Sequence, residues 1–478
     1  MLKLYDSLRR KKVTFRPLKA GQVSMYNCGP TVYGNVHIGN LRAFVFADLL
    51  RRHLERSGYA VTQIMNITDV GHVLADADEG EDKMEAAARK EGKTPGEIAL
   101  FFTEAFFADI RDMNIRPASA YPKASEHVPE MVEMIGRLIE NGSAYKVPSG
   151  DGQGHSVYFD ISAFPDYGKL SGNRIDGLNP GARVDVRPEK KHPADFALWV
   201  HNPRHLMQWE APWGRGYPGW HVECSAMAIK YLGQTIDIHT GGEDNRFPHH
   251  ECEIAQSECF TGQPFARFWL HVTHLMVEGE KMSKSRGNFL TLRDLKGKGY
   301  RSREVRYLLL SAQYRQPFNF TMAGLDGARS ALSKLDDFAD SVRSWEPKST
   351  GRSTAFVRRA TGDFVRSLDD DLNVPEALAA VFGLVSETNR RMADGSLTSM
   401  ERQAVTDFLE SLGNVMGFSF GTAVDDRDIP QSVALMIEKR EKARSDRRFA
   451  EADAIRDEIL ARGFVVEDTP DGRRVKRV

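Results

Sequence analysis

The sequence predicts an α/β protein with a doubly wound parallel sheet that is split by an insertion, followed by an α-helical bundle and a small C-terminal α+β domain. An extended segment near 23–26 is followed by a turn at Gly29-Pro30 and by a helix after Gly39. This order of strand, turn and helix is typical of the first unit of a doubly wound nucleotide-binding fold. Strand-like patterning returns only near 235–239, so the sheet has two separate halves. From about Ser302 onwards the pattern is almost entirely helical.

The elements of the sheet and of the insertion follow in chain order. The first helix carries apolar residues at roughly helical spacing from Leu41 to Leu54 and ends at Gly58. The remaining predicted elements are a strand at 60–67, an insertion with a helix near 128–141 and a glycine-rich hairpin at 148–160, a strand at 235–239, a helix at 249–260 and a strand at 268–277.

The C-terminal part is predicted to be helical until its last residues. Ser302 is a plausible N-cap, and three amphipathic stretches run from 321 to about 418, separated by polar breaks at 346–354 and 373–377. After a linker, one charged helix covers about 433–462, and the chain closes with a hairpin whose turn is at 470–472.

Composition is typical of a soluble protein of several domains. The chain has 478 residues, of which 41% are hydrophobic and 27% charged. At roughly 100 to 200 residues per domain, this length suggests about three domains. It contains neither an apolar run long enough to span a membrane nor a secretory signal, so we expect a cytoplasmic protein without membrane contact. The net charge of −1 means that any nucleic-acid contact depends on local basic patches.

The first chemical motif is His37-Ile38-Gly39-Asn40, at the predicted turn between the first strand and the first helix. The unpaired N–H groups of a helix N-terminus attract anions, and His37 and Asn40 can donate to phosphate oxygens. Gly39 would let a base or ribose approach closely. Taken alone, these four residues are better explained as a helix cap with an incidental histidine.

The second motif is Lys281-Met282-Ser283-Lys284-Ser285, followed by Arg286-Gly287-Asn288 in a polar loop after a strand. Its cations could stabilise the charge that develops on leaving pyrophosphate. A solvated basic loop is the alternative. The occurrence of both motifs, in this order on a split α/β fold, favours an ATP site.

Four residues are candidate metal ligands: Cys28, Cys224, His249 and Glu253. The last two are four residues apart and therefore share one helix face. Two sulfurs, an imidazole and a carboxylate can form a tetrahedral zinc site. The spacing alone leaves three other residues as competing ligands, namely Cys252, His250 and Cys259.

Four segments carry a resemblance to the cysteinyl-tRNA synthetase family of class I aminoacyl-tRNA synthetases: MYNCGPTVYGNVHIGN, PGWHVECSAM, DIHTGGEDNRFPHHECEIAQSE and KMSKSRGN. The two class signatures are usually written HIGH and KMSKS, and Asn40 stands here in place of the last histidine of the first. The resemblance implies a Rossmann-type catalytic domain at 1–115 and 206–275, an insertion at 116–205, a KMSKS and stem-contact region at 276–320, a helical bundle at 321–420 and an anticodon-binding domain at 429–478.

The resemblance also implies the roles of individual residues. One zinc ion would be held by Cys28, Cys224, His249 and Glu253, with Cys252 and Cys259 as bystanders, and would take the substrate thiolate as a further ligand. A thiolate binds zinc well whereas a serine hydroxyl keeps its proton, so this contact could separate cysteine from serine without editing. Thr68, Trp220 and His239 would line the cysteine pocket. The implied ATP-binding residues are Thr31, His37, Gly39, Asn40, Lys281, Met282, Ser283, Lys284 and Ser285, of which His37, Asn40, Lys281 and Lys284 would act in catalysis.

The implied partners are L-cysteine, ATP with Mg²⁺, and tRNA(Cys), bound by a monomer. The C-terminal unit carries basic residues that suit an RNA backbone: Arg444, Arg447, Arg448, Arg473, Arg474, Lys476 and Arg477. Two alternatives stay open. A cysteine-activating amino-sugar ligase of thiol-cofactor synthesis would share the motifs but would not need the C-terminal unit, and a non-catalytic RNA-binding or zinc-storage protein would not need the phosphate loop.

Overall fold

The computed structural model describes residues 1–70, 82–150, 152–173, 189–282, 287–351, 353–421, 430–469 and 472–477. The chain forms two compact units, each built from two stretches of sequence. The first consists of Met1–Leu325 and Val365–Leu378, and the second of Asp326–Phe364 and Ala379–Val478.

The first unit contains thirteen strands and eight complete helices among its described residues. The strands are β1 (Lys3–Asp6), β2 (Lys11–Thr14), β3 (Gln22–Asn27), β4 (Ala60–Met65), β5 (Ala144–Pro148), β6 (His155–Phe159), β7 (Phe196–Val200), β8 (Tyr217–Pro218), β9 (Ile236–Gly242), β10 (Ala266–Val272), β11 (Leu275–Val277), β12 (Glu280–Lys281) and β13 (Phe318–Phe320). The helices are α1 (Ile38–Arg56), α2 (Lys83–Glu91), α3 (Pro95–Asp112), α4 (Val128–Glu140), α5 (Trp220–Leu232), α6 (His249–Thr261), α7 (Leu292–Gly297) and α8 (Ser302–Leu310).

The central sheet of this unit is parallel and has the strand order β10-β9-β3-β4. Its two halves come from the two sides of the insertion. Strands β5, β6 and β7 of the insertion form a separate antiparallel sheet with β8, which lies beyond residue 205, the predicted end of the insertion. Strand β9 is buried along nearly its whole length, as expected where helices cover both faces of a parallel sheet. The predicted α/β fold with a split parallel sheet is therefore confirmed.

The second unit is mainly helical. Its elements are α9 (Met322–Ser344) and α10 (Ala355–Asp369), α11 (Val374–Ala393), α12 (Ser399–Met416), α13 (Gln431–Ser445), α14 (Phe449–Ala461), β14 (Phe464–Thr469) and β15 (Gly472–Arg477), of which α9, α10 and α11 each begin or end in the first unit. The antiparallel hairpin β14–β15 and the last two helices share a small core of Val433, Ile437, Ile459, Phe464, Val466 and Val475. Within the described part of the chain, no helix is long and apolar enough to cross a membrane.

Several sequence predictions about element bounds were wrong. The predicted strand at 268–277 is two strands, because β10 ends at Val272 and β11 pairs with β12 and β13 in another sheet. The N-cap of α8 is Arg301 and not Ser302, which is the first helical residue. Four long helices replace the predicted three amphipathic stretches, with a further break at 394–398.

The predicted single helix at 433–462 is also two helices, α13 and α14. Arg447, which lies between them, has a φ of 58°, a left-handed conformation that no continuous α-helix allows. The hairpin that follows was predicted correctly in its two strands. Its turn residues Pro470 and Asp471 lie outside the described residues.

Candidate active site

One cleft of about 590 Å³ lies at the carboxyl ends of the central strands. Its wall includes Cys28 just after β3, Gly242 at the end of β9 and Val272 at the end of β10. This edge is where open parallel sheets bind their ligands, because strand ends and helix N-termini converge there. The cleft also contains residues of both sequence motifs, including Thr31, His37, Gly39, Asn40, Lys281 and Met282.

The first motif begins α1 with a reciprocal cap. His37 is the N-cap residue, its Nδ1 accepts from the Asn40 backbone N–H at 3.2 Å, and the Asn40 Oδ1 accepts from the His37 N–H at 3.2 Å. A histidine and an asparagine thus satisfy two donors that the helix start would leave unpaired. The cap leaves the Asn40 NH₂ group as a donor at the edge of the cleft.

Gly39 allows a close approach between the two motifs. A Cβ at this position would lie 2.9 Å from the His37 ring and 3.4 Å from Cε of Met282. The first motif also contacts the segment after the second, since the Ile38 N–H donates to the Leu290 carbonyl and the His37 ring lies edge-on to Phe289. Residues 283–286, which include Ser283, Lys284 and Ser285, lie outside the described residues.

The predicted metal ligands converge. The donor atoms of Cys28, Cys224, His249 and Glu253 all lie within 4.8 Å of one another. Cys28 follows β3, Cys224 lies in the first turns of α5, and His249 and Glu253 are one turn apart at the start of α6. Since the last three are buried, this group could hold a metal ion shielded from solvent on most sides.

A second, overlapping group satisfies the same distance limit. It consists of Cys28, His239, His250 and Glu253. Glu253 is shared because its two carboxylate oxygens accept from His249 Nε2 at 3.0 Å and from His239 Nε2 at 2.9 Å. Cys252, by contrast, belongs to neither group, and its Sγ lies 3.3 Å from the Tyr167 hydroxyl.

The electrostatics of the first group favour a bound cation. Burial opposes the ionisation of Glu253, but His239 and His249 lower its pKa to about 2. Burial raises the pKa of Cys28, and the hydrogen bond to Cys28 together with burial raises that of Cys224. A metal would replace the thiol protons and relieve the cost of burying these donors.

The predicted cysteine-pocket residues lie at two depths. Thr68 and Trp220 line the cleft, and the Trp220 ring stacks on His249 with centroids 4.2 Å apart. His239 lies behind them, fully buried against Glu253 and stacked on Trp269 at 4.5 Å. Trp220 and His239 therefore each contact a member of the first donor group, His249 and Glu253 respectively.

Other residues near the site escaped the sequence analysis. Glu223, fully buried, accepts a hydrogen bond from the Thr68 hydroxyl at 3.3 Å. His221 contacts His249 at 2.9 Å, and His271 contacts His250 at 2.8 Å. The sequence signal for Glu223 was its place directly before the candidate ligand Cys224.

The predicted tRNA-binding arginines of the second unit are exposed where they are described. Arg444, Arg447 and Arg448 are on or just after α13, and Arg448 pairs with Asp446 at 2.9 Å and with Glu451. The other four predicted residues lie on β15, and only their backbone is described: Arg473, Arg474, Lys476 and Arg477.

Comparison with known families gives three consecutive matches. Residues 14–330 match the catalytic domain of class I (C) tRNA synthetases, residues 363–421 a DALR domain, and residues 426–475 the anticodon-binding domain of cysteinyl-tRNA ligases. Together they cover most of the chain.

Individual relatives agree with these matches. The chain is 42% identical to a cysteine–tRNA ligase of Thermus thermophilus over 99% of this chain and 98% of that protein, and 41% identical to one of Carboxydothermus hydrogenoformans over all of both chains. The crystal structure of methionyl-tRNA synthetase of Mycobacterium tuberculosis bound by methionyl-adenylate has a similar fold. Its TM-score is 0.61 at 15% identity, over 83% of this chain and 92% of that one.

Proposed function

The chain belongs to the cysteine–tRNA ligase family of class I aminoacyl-tRNA synthetases, and we propose that it activates L-cysteine with ATP to cysteinyl-adenylate and then transfers cysteine to the 3′ end of tRNA(Cys). One observation carries this proposal: a single cleft holds all the described members of the predicted ATP set beside three members of the donor group, Cys28, Cys224 and His249. We propose that the enzyme acts as a monomer in the cytoplasm.

The resident metal in this proposal is zinc, held by Cys28, Cys224, His249 and Glu253. Two sulfurs with one imidazole and one carboxylate suit zinc better than the overlapping group, which has a single sulfur. His239 would orient Glu253 from the second layer, because it donates to the other carboxylate oxygen. When bound, zinc would ligate the substrate thiolate and so distinguish cysteine from serine.

The chain's own residues would orient ATP. The N–H groups of His37, Ile38 and Asn40 at the start of α1 already donate within the protein. The Asn40 NH₂ group can donate to a phosphate oxygen, and Gly39 leaves room for the nucleoside. Lys281 at the cleft and Lys284, three residues later in the sequence, would stabilise the charge on leaving pyrophosphate, with Mg²⁺ supplied with ATP. Thr68 and Trp220 would enclose the cysteine side of the cleft.

The amino-sugar ligase is not favoured. Its acceptor is a small molecule, whereas residues 426–475 match an anticodon-binding domain that such an acceptor would not require. A non-catalytic protein is disfavoured by the retained His37, Gly39 and Lys281 in one cleft.

The test is pyrophosphate exchange with ATP in the presence of cysteine or serine, followed by aminoacylation of purified tRNA(Cys). We expect exchange with cysteine alone and charging of tRNA. Exchange without tRNA charging, but with transfer to glucosamine-type acceptors, would select the other ligase.

A further inference from the structure

Arg42 is a buried cation on α1, two residues after Asn40, with an exposed fraction of 2%. Its guanidinium donates to four backbone carbonyls on two separate segments. Nη1 donates to Thr273 at 2.5 Å and to His274 at 3.4 Å, while Nη2 donates to Gln313 at 3.3 Å and to Gln316 at 3.0 Å. The guanidinium also lies over the Phe318 ring of β13, with its carbon 5.2 Å from the ring centroid.

The first of these segments is a wall of the proposed ATP cleft. Thr273 and His274 both line it, and they connect β10 to the strands β11 and β12 that lead to Lys281 and Met282. Thr273 ties the same wall to the second segment, because its N–H donates to the Tyr314 carbonyl and its hydroxyl to the Arg315 carbonyl at 2.9 Å. Arg42 therefore joins the helix of the first motif to the segment that leads to the second.

The contact places a buried charge among neutral partners. Each hydrogen bond described for Arg42 goes to a neutral carbonyl, and burial lowers the pKa of Arg42 to about 10. A buried cation without a carboxylate partner is costly, and an apolar side chain of similar size would pack here at lower cost. The planar fork of arginine, however, can hold two chain segments in one geometry, which neither an apolar residue nor lysine can do.

We propose that Arg42 is a positioning residue for ATP, whose guanidinium fixes the cleft wall at Thr273 and His274 against α1 so that the first motif faces the described start of the second. This inference rests on the proposed function, since it assigns ATP to the cleft. Arg42 does not line the cleft and so acts through the backbone of its partners.

The test compares ATP affinity by calorimetry, without cysteine, in Arg42→Met, Arg42→Lys and Arg52→Met. Arg52 is a matched control on the same helix: it has an exposed fraction of 6%, but it donates to Asp48 and to the Asn114 carbonyl, outside the cleft. Loss of charge-assisted bonds to the cleft wall should raise the Kd of ATP about tenfold in Arg42→Met and about threefold in Arg42→Lys. Arg52→Met should change it by less than about twofold.

Steady-state exchange assays separate positioning from general damage. In the Arg42 variants the KM of ATP should rise with the Kd, while the KM of cysteine and the zinc content stay at wild-type values. Arg42→Lys keeps the charge and serves as the folded variant if Arg42→Met does not fold. An unchanged ATP Kd in either folded Arg42 variant, or an equal rise in Arg52→Met, would overturn the inference. Wild-type protein that binds ATP but shows no cysteine-dependent exchange would refute the proposed function instead.

Discussion

Replacing Cys224 with serine should greatly weaken zinc binding, whereas the same change at Cys252 should not. The two cysteines form a matched pair, since both are buried, with exposed fractions of 1% and 0%. Cys224 belongs to the group whose donor atoms lie within 4.8 Å, whereas Cys252 lies in α6 with its sulfur 3.3 Å from the Tyr167 hydroxyl. A serine at 252 could keep that hydrogen bond, but a serine at 224 would keep its proton and bind zinc poorly.

The expected loss of zinc affinity in Cys224→Ser follows from the loss of one direct ligand. Removing an outer partner of a metal ligand typically costs about 10- to 100-fold in affinity, so loss of one of four direct ligands should cost more than about 100-fold. That ratio corresponds to about 2.7 kcal/mol. Structural zinc binds with an apparent free energy of about 10 to 16 kcal/mol, so simple dialysis would not remove it from either variant.

The assay is therefore a competition with a chelator of known affinity, with the zinc that stays bound measured by elemental analysis. Cys224→Ser should lose half of its zinc at a chelator concentration more than about 100-fold lower than wild type, and Cys252→Ser at a concentration within about threefold of it. Zinc that is lost from Cys252→Ser but retained in Cys224→Ser would refute the assignment of ligands. Equal retention in both variants would refute it as well.

Three further changes test the ATP and tRNA residues. Lys284→Ala should slow adenylate formation in single-turnover kinetics by about 10² to 10³-fold, because the lost contact forms with transition-state charge, and a normal rate with a raised cysteine KM would contradict this role. Gly39→Ala should raise the KM of ATP about tenfold, since its Cβ would lie 2.9 Å from the His37 ring, and a KM equal to that of wild type would show that the ring yields easily. Deleting the chain from Ile429 should spare cysteine-dependent pyrophosphate exchange but strongly reduce tRNA charging. Equal charging by the truncated and full-length proteins at physiological salt would exclude an anticodon-binding role for this segment.

Sequence patterns predicted the structure best where it is determined by residues close together in the chain. The His249 and Glu253 side chains share a face because a helix repeats every 3.6 residues, and their 3.0 Å contact follows from that geometry. The start of α1 was predictable for the same reason, since the cap is formed within four residues. The patterns failed at the break between α13 and α14, because the left-handed conformation of Arg447 is not marked by a glycine or a proline.

The amino-acid sequence by itself predicted the split α/β fold and the two motifs that follow its strands. It also supplied the candidate metal donors, but only the resemblance to the family, and not their spacing, selected four of them. Only the tertiary structure decided that Cys28, 221 residues before His249 in the chain, also lies near His239 and His250. The same is true of the hydrogen bond from Thr68 to Glu223 and of the hydrogen bond from Arg42 to the Thr273 carbonyl in the cleft wall. Such contacts depend on how β3, β9, β10 and the helices between them pack together. Periodicity and capping act over a few residues and specify single elements, whereas the side chains that meet between elements are selected by burial and hydrogen bonding in the folded core.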